Sequence, residues 1–186
     1  MIKGILDIIG ATQLFIILSP FLVLVILLIL LIEWDKPFFL QDRIGKHKQP
    51  FTIIKFRTMK KGKITPLGDL LRKTGIDELP QLINIIKLDM SFVGPRPLTQ
   101  GDIERLAWMS DFYTKRWSVR PGIVGLAQLS PICHKKMSWF YDRFYIENQN
   151  LSLDFKILFA AMFIPLTGKT FIKNRIHGKE KAQGSR

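Results

Sequence analysis

Two adjacent carboxylates, Asp77 and Glu78, are the residues of this chain best suited to do chemistry. They stand before Leu79-Pro80 in a sequence whose net charge is +13. Carboxylate oxygens are ligands that Mg²⁺ prefers, and arginine side chains bind phosphate through paired hydrogen bonds. An acidic pair in a basic protein is therefore a place where a divalent cation and a phosphate can be held together.

The same pair also fits a purely structural role. Apolar residues at helical spacing predict a helix over 79–88, and Pro80 is tolerated in the first turn of a helix. The positive N-terminus of a helix dipole keeps nearby carboxylates ionised. Asp and Glu are also common at the start of helices for structural reasons alone. The local pattern leaves helix capping and catalysis both open.

Several basic side chains are candidates for phosphate binding. Arg96 stands between Pro95 and Pro97, whose rings restrict the backbone around it. Rigid loops that carry arginine suit bidentate phosphate binding, as in the Arg-Pro-Gly turn that begins at Arg120. A structural ion pair is the alternative for each residue. The candidate set is Arg72, Arg96 and Arg120, with Lys55 and Arg57 as weaker members.

The elements that carry these residues follow a long apolar segment near the N-terminus. Ser19 is the only polar side chain from residue 14 to residue 32, and a straight helix over this stretch is about 28 Å long, enough to cross a membrane. Pro20 cannot donate to the carbonyl of Ile16, so we expect a kink that the Ser19 hydroxyl partly relieves. A sharp break at Ser19-Pro20 gives a re-entrant hairpin, and a mild kink gives a single span. The residues alone leave both open.

The remaining sequence predicts one mixed α/β domain that is mostly helical with short strands. Extended pieces are expected at 38–45 and 51–59, and a helix at 67–73. Aromatic and basic residues are interleaved over 102–117, which predicts an amphipathic helix at the membrane interface, with a core helix as the alternative. The predicted division is a membrane anchor at 1–36, a catalytic domain at 37–166 and a flexible basic tail at 167–186.

Composition narrows the classes of partner. Cys133 is the only cysteine, so no internal disulfide is expected, and the three histidines show no metal-ligand spacing. A basic domain attached to an apolar segment indicates an anionic membrane surface, a phosphorylated substrate, or both. The positive-inside bias places the domain on the cytoplasmic side. Nucleic acid is a weaker candidate on the same charge argument.

Four motifs in fixed order resemble the bacterial sugar transferase family, the monotopic phosphoglycosyl transferases. The resemblance runs from the N-terminal segment to about residue 154. The motifs are Lys55-Phe56-Arg57-Thr58-Met59, Asp77-Glu78-Leu79-Pro80-Gln81-Leu82-Ile83-Asn84, Asp89-Met90-Ser91-Phe92-Val93-Gly94-Pro95-Arg96-Pro97 and Arg120-Pro121-Gly122-Ile123-Val124-Gly125-Leu126-Ala127-Gln128.

The resemblance implies a specific reaction. Such enzymes transfer a sugar 1-phosphate from a UDP-sugar to undecaprenyl phosphate with Mg²⁺, and release UMP as the first membrane step of glycan assembly. By this resemblance Asp77 is the nucleophile that forms a covalent phosphosugar intermediate, and Asp77 and Glu78 hold the metal. The resemblance also implies a re-entrant anchor broken at Ser19-Pro20, in contact with membrane lipids at the cytoplasmic face of the bacterial inner membrane.

One departure from the family pattern bears on the substrate. The Gly-Arg pair usual after Ala127-Gln128 is replaced here by Leu129-Ser130, so the identity of the sugar stays open, as do the glycan pathway and the oligomeric state. The enzyme interpretation carries no nucleic-acid partner. The rival hypothesis is a non-catalytic, membrane-anchored basic module that binds anionic lipid or nucleic acid. That hypothesis leaves Asp77 and Glu78 without a role.

Overall fold

The computed structural model describes residues 2–130 and 135–162. It is mostly helical with short strands, as the sequence predicted. The helices are α1 (Ile2–Leu28), α2 (Pro66–Thr74), α3 (Leu82–Ile86), α4 (Gln100–Arg105), α5 (Leu126–Leu129), α6 (Lys135–Glu147) and α7 (Leu151–Met162). The strands are β1 (Phe38–Ile44), β2 (Pro50–Phe56), β3 (Met59–Lys60), β4 (Lys63–Ile64), β5 (Ser91–Val93) and β6 (Gly122–Val124).

Helix α1 is long, apolar and continuous. It runs through Ser19-Pro20 as one helical segment and passes into a π-helical turn at Ile29–Glu33. The re-entrant break predicted at Ser19-Pro20 remains a prediction. The Ser19 hydroxyl donates a 2.8 Å hydrogen bond to the carbonyl of Ile16. Pro20 leaves this carbonyl without its backbone donor, so Ser19 restores the missing bond, as the sequence predicted.

One side of α1 packs against the domain and the rest of the helix is exposed. Ala11 joins a core cluster with Ile53 and Ile85, whereas Leu22 and Val25 join a second cluster. Within the described residues, Ile2–Glu33 is the one helix long and apolar enough to cross a membrane, and 17% of its most apolar stretch is buried. A membrane anchor is consistent with so large an exposed apolar surface. The re-entrant course remains a prediction.

Both ends of this apolar segment contact the same domain. At the N-terminal end, the Lys3 ammonium donates to Asp154 at 2.6 Å and to the Tyr145 hydroxyl at 2.7 Å. Burial, together with the hydrogen bond to Asp154, raises the pKa of Tyr145, so this phenol stays protonated. At the C-terminal end, the Lys60 ammonium donates to the carbonyl of Glu33.

Strands β1 and β2 pair as an antiparallel hairpin. Gln41 pairs with Ile53, and Arg43 pairs with Phe51. Side chains alternate along a strand, so Gln41 and Arg43 lie on the same face. The strand predicted over 51–59 ends instead at Phe56, and β3 and β4 make a separate small hairpin.

The helix predicted over 67–73 is confirmed as α2, which is capped by Thr65 and ends at Gly75 with φ of 76°. The helix predicted over 79–88 is not one α-helix. Its beginning belongs to a 3₁₀ helix, Ile76–Gln81, and α3 follows. Pro80 has no N–H to donate to the carbonyl of Ile76, four residues before it. The turn that precedes Pro80 is of the 3₁₀ type, with a 3.1 Å bond from the Glu78 nitrogen to the Gly75 carbonyl.

The amphipathic helix predicted over 102–117 is wrong as a single element. Helix α4 ends at Arg105, and a separate 3₁₀ helix covers Asp111–Ser118. Trp108 and Trp117 are buried in a cluster with Trp139, because their large apolar surface packs in the domain core. The predicted basic tail at 167–186 and the altered segment beyond Ser130 lie outside the described residues.

Candidate functional site

The two carboxylates lie on the 3₁₀ helix between α2 and α3. Gly75 is the N-cap residue of this helix, and no side chain caps it, so the structure does not show the capping alternative for the acidic pair. Asp77 and Glu78 follow in the first turn and are both half-buried. The Lys55 ammonium on β2 donates a 2.7 Å hydrogen bond to Glu78 Oε1.

Parallel pairing of β5 with β6 brings two distant motifs to this place. Ser91 pairs with Gly122 and Val93 with Val124. A β-carbon on Gly122 would lie 2.1 Å from the backbone nitrogen of Gly94. Only glycine permits so close an approach of two backbones. The proline-locked loop that carries Arg96 is thereby held beside the turn that follows Arg120.

Two neighbouring cavities lie at this junction. We call the first the inner pocket; it is narrow, with a volume of about 10 Å³, and Arg43, Ile53, Lys55, Glu78, Gln81, Arg96, Pro97, Gly122, Ile123 and Gln128 line it. We call the second the outer cleft; its volume is about 480 Å³, and Gln41, Arg43, Arg96, Leu98, Thr99, Asp102, Arg105 and Leu106 line it. Arg43 and Arg96 line both cavities, so the two cavities are neighbours.

The inner pocket is electropositive. Arg43, Lys55 and Arg96 bring three cationic side chains against the single carboxylate of Glu78. Burial lowers the pKa of Arg43, and so does the charge of Arg96 beside it. Arginine nevertheless remains protonated at neutral pH. An excess of fixed positive charge in a partly buried pocket favours an anionic ligand.

The guanidinium of Arg43 is held in place by three oxygens. One terminal nitrogen donates to the carbonyl of Pro97 at 3.2 Å and to Asp102 at 3.4 Å, and the other donates to Gln41 Oε1 at 2.6 Å. Asp102 in turn closes the capping box of α4 with Thr99. These contacts fix Arg43 at the boundary between the inner pocket and the outer cleft.

A buried ion pair contacts the backbone of the loop that carries Arg96. The Arg116 side chain contacts Asp142 at 3.0 Å with both side chains 3% exposed, and it donates to the carbonyl of Arg96 at 2.6 Å. The guanidinium also lies over the rings of Trp108 and Trp117. Burial lowers the pKa of Arg116 and raises the pKa of Asp142.

The structure brings together some of the residues predicted from sequence and separates others. Lys55, Glu78 and Arg96 line the inner pocket, and Asp77 precedes Glu78 on the same 3₁₀ helix. Arg57, Arg72 and Arg120 line neither cavity.

The three remaining arginines make contacts elsewhere. Arg57 donates to the carbonyls of Lys36 and Phe38, and Arg72 donates to the Thr58 hydroxyl at 2.7 Å. The Arg120 side chain lies against Gly4 of α1. A substrate role for these three arginines remains a prediction without support from the cavity linings.

Sequence reasoning missed Arg43 and Gln81, although both line the inner pocket. The signal for Gln81 was present, since it ends the Asp77–Gln81 part of a motif that was recognised. Arg43 shares a strand face with Gln41, but a short strand does not by itself indicate what its face will meet. Its position depends on pairing with β2.

The two carboxylates can supply part of the ligand set of a Mg²⁺ ion, but not all of it. No group of three or more His, Cys, Asp or Glu side chains that could hold a metal occurs in residues 2–130 and 135–162. Mg²⁺ is commonly bound by one or two protein carboxylates plus substrate phosphates and water. Asp77 and Glu78, two neighbouring carboxylates beside an anion-favouring pocket, fit that mode and do not fit a cage built from protein ligands alone.

Comparison with known proteins finds one matching family model and several similar proteins. A family model described as bacterial sugar transferase matches residues 1–168. The chain is 34% identical to the UDP-N-acetylgalactosamine-undecaprenyl-phosphate N-acetylgalactosaminephosphotransferase of Aeromonas hydrophila, over 90% of this chain and 44% of that protein. It is 31% identical to the UDP-glucose:undecaprenyl-phosphate glucose-1-phosphate transferase of Escherichia coli (strain K12), over 88% and 40%.

A third relative is closer in length. The exopolysaccharide production protein ExoY of Sinorhizobium fredii is 32% identical over 84% of this chain and 81% of that protein. By contrast, the chain spans less than half the length of the Aeromonas and Escherichia relatives.

Proposed function

The chain belongs to the bacterial sugar transferase family, and from this premise we propose that it transfers a sugar 1-phosphate from a UDP-sugar to undecaprenyl phosphate. The names of relatives from Aeromonas and Escherichia describe such transfers. The observation that carries the proposal is the acidic pair beside the inner pocket. Glu78 lines the inner pocket together with Lys55, Arg43 and Arg96, and Asp77 precedes it on the same 3₁₀ helix. This arrangement suits a carboxylate that attacks a diphosphate flanked by cations.

The reaction consists of two successive displacements at phosphorus. A carboxylate oxygen of Asp77 attacks the phosphorus that bears the sugar, and the bond from that phosphorus to the bridging oxygen breaks, so UMP leaves with the electron pair. A phosphate oxygen of undecaprenyl phosphate then attacks the same phosphorus, and the Asp77 carboxylate is regenerated. A covalent intermediate divides one transfer between two bulky substrates into two simpler steps.

The remaining side chains stabilise charge and hold position. Lys55 orients Glu78 through their 2.7 Å contact, and Lys55, Arg43 and Arg96 counter the charge that develops on the phosphates. Asp77 and Glu78 would hold Mg²⁺ together with the phosphates, and bound Mg²⁺ supplies further charge neutralisation at the leaving oxygen. The outer cleft, at about 480 Å³, has the size of a small-ligand site.

The proposed location is the cytoplasmic face of the bacterial plasma membrane. Two observations support it: the exposed apolar surface of α1 and the contact of both ends of that segment with one domain. A polyprenyl substrate enters from lipid, so an anchored domain shortens its search to two dimensions. The name of the ExoY relative suggests exopolysaccharide synthesis as the pathway.

The test is UMP release from a panel of UDP-sugars, with full-length protein, Mg²⁺ and polyprenyl phosphate. We expect release with at least one donor, and we expect Asp77→Asn to lower its rate by at least about a thousandfold, as is usual when a nucleophile is removed. Glu78→Gln should also reduce the rate, and a chelator should stop it.

Asp69→Asn is the matched control, because Asp69 is an exposed carboxylate of α2 paired with Lys73. It should retain the wild-type rate. Absence of UMP with every donor would contradict the proposed function and favour a non-catalytic binding module. Full activity of Asp77→Asn would remove Asp77 from the reaction.

A further inference from the structure

Two buried N–H groups of the inner pocket have no hydrogen-bond partner among the described residues. They are Nε2 of Gln81 and Nε of Arg43. The Gln81 side chain belongs to a residue that is 2% exposed, so solvent does not satisfy its amide. Buried polar groups in folded proteins are nearly always paired. Two such groups lining one small pocket therefore point to an acceptor that binds there.

The chemistry of the unpaired atoms identifies the kind of acceptor. Both are donors, and no buried acceptor without a partner lines the same pocket within the described part of the chain. A water molecule in a buried site needs acceptors as well as donors around it. An anionic oxygen needs donors only, and the cations of Arg43, Lys55 and Arg96 outnumber the single carboxylate of Glu78. The setting therefore favours an anionic oxygen over water.

We propose that Gln81 Nε2 and Arg43 Nε together bind one non-bridging oxygen of the donor's diphosphate. This assignment rests on the proposed function for the identity of the ligand. The pocket volume of about 10 Å³ matches one oxygen-sized group. Gln81 thus becomes a specificity residue for phosphate, and Arg43 becomes a second ligand.

The surroundings fix both donors before the ligand arrives. The terminal nitrogens of Arg43 are engaged by Gln41, Pro97 and Asp102, and its Nε is left without an acceptor among the described residues. Gln81 lies on the same 3₁₀ helix as the two carboxylates. An oxygen held by Gln81 is therefore held in a fixed relation to Asp77, which is the geometric condition for attack at phosphorus.

The experiment measures binding separately from catalysis. The dissociation constant of UDP, with Mg²⁺, is determined by calorimetry for the wild type, Gln81→Leu and Gln81→Glu in full-length protein, with uridine as the ligand that has no phosphate. Gln49→Glu is the matched control, since Gln49 is exposed and outside both cavities. Thermal unfolding midpoints of all four proteins are recorded to detect loss of the fold.

We expect Gln81→Leu to weaken UDP binding about tenfold, the loss of one hydrogen bond to a charged group. Gln81→Glu should weaken it further, because a carboxylate then faces the anion, whereas Gln49→Glu should bind as the wild type does. The melting midpoint of Gln81→Leu should not fall, because an unpaired buried donor is removed. Arg43→Lys keeps the charge but lacks Nε–H, and it should also weaken binding.

Results that contradict the oxygen site differ from results that contradict the proposed reaction. If both Gln81 variants bind UDP within threefold of the wild type, or if the wild type itself binds uridine as tightly as UDP, the oxygen site is overturned. Lower melting midpoints with unchanged UDP binding would show a structural water site instead, and would also overturn it. UDP binding that depends on Gln81 in a protein without UMP release would support the oxygen site and contradict the proposed reaction.

Discussion

At the scale of single residues, the contact between Lys55 and Glu78 involves one carboxylate of the acidic pair. A lysine ammonium carries three donors, so Lys55 can hold Glu78 and still donate to a phosphate. The 2.7 Å contact fixes the Glu78 side chain and lowers the repulsion between neighbouring carboxylates.

A second residue-scale feature is the buried pair of Arg116 and Asp142. Removing one partner of such a pair leaves a buried charge uncompensated, which is strongly destabilising. We expect Asp142→Asn to lower the free energy of unfolding by about 3–5 kcal/mol. Denaturant or thermal unfolding of the protein in detergent measures this change.

Lys73→Gln is the control for that prediction. It breaks the exposed pair with Asp69, and exposed ion pairs contribute at most about 1 kcal/mol. If Asp142→Asn proves no more harmful than Lys73→Gln, the buried pair does not hold the domain together. The Arg96 loop would then be fixed by its prolines, by the contact of Arg43 with the Pro97 carbonyl and by the pairing of β5 with β6.

At the scale of elements, the parallel pairing of β5 with β6 brings two distant segments of the site together. It is only three residues long on each side, yet it joins the loop of Arg96 to the turn after Arg120. The close approach of Gly94 to Gly122 sets the distance between the two strands. Any side chain at Gly122 must push the strands apart or displace the loop.

We therefore expect Gly122→Ala to destabilise the protein by about 1–3 kcal/mol or more, as overpacking does, and to reduce UMP release. The reason is that the added β-carbon would lie 2.1 Å from a backbone nitrogen that cannot move freely. Thermal unfolding and the UMP assay measure the two effects.

Gly101→Ala is the matched control, because its β-carbon would meet only the Thr99 side chain oxygen at 3.9 Å. Alanine favours a helix over glycine, so this change in α4 should be neutral or stabilising. If Gly122→Ala and Gly101→Ala show the same stability and the same rate of UMP release, then the pairing of β5 with β6 tolerates a wider spacing of the strands.

At the scale of the whole molecule, the apolar segment and the domain form one body. Polar contacts at Lys3 and at Glu33 tie the two ends of the segment to the domain, and apolar contacts at Ala11, Leu22 and Val25 join its middle. Such contacts oppose an arrangement in which the N-terminus lies on the far side of a membrane. The re-entrant course that the family resemblance implies remains a prediction.

The topology can be tested with single cysteines at positions 2 and 36, in a background with Cys133→Ser. Ile2 and Lys36 are both exposed, so neither is shielded by the protein itself. We expect both cysteines to be protected from an impermeant thiol reagent in intact cells and to react after permeabilisation. Labelling of position 2 alone in intact cells would establish a spanning helix.

Local pattern was enough to predict much of the architecture. The apolar run predicted α1, the helical spacing predicted α2, and the Ser19 hydroxyl was correctly assigned to the carbonyl freed by Pro20. Of the predicted site residues, Lys55, Glu78 and Arg96 line the inner pocket, whereas Arg57, Arg72 and Arg120 line neither cavity, and the roles of all six stay predictions. The helix over 102–117 was wrong as one element because the backbone turns at Ala107, whose φ is 51°, and side-chain periodicity does not predict such a turn.

The sequence by itself determined the chemistry that the chain contains: an acidic pair, rigid arginine loops and an apolar anchor. Only the tertiary structure decided which cations meet the carboxylates. Arg43 reaches the inner pocket, whereas Arg57 binds backbone carbonyls beside the N-terminal part of β1. The physical reason is that side-chain types and periodicities are local properties. The partners of a side chain are set by pairing between segments far apart in the chain, here β1 with β2 and β5 with β6.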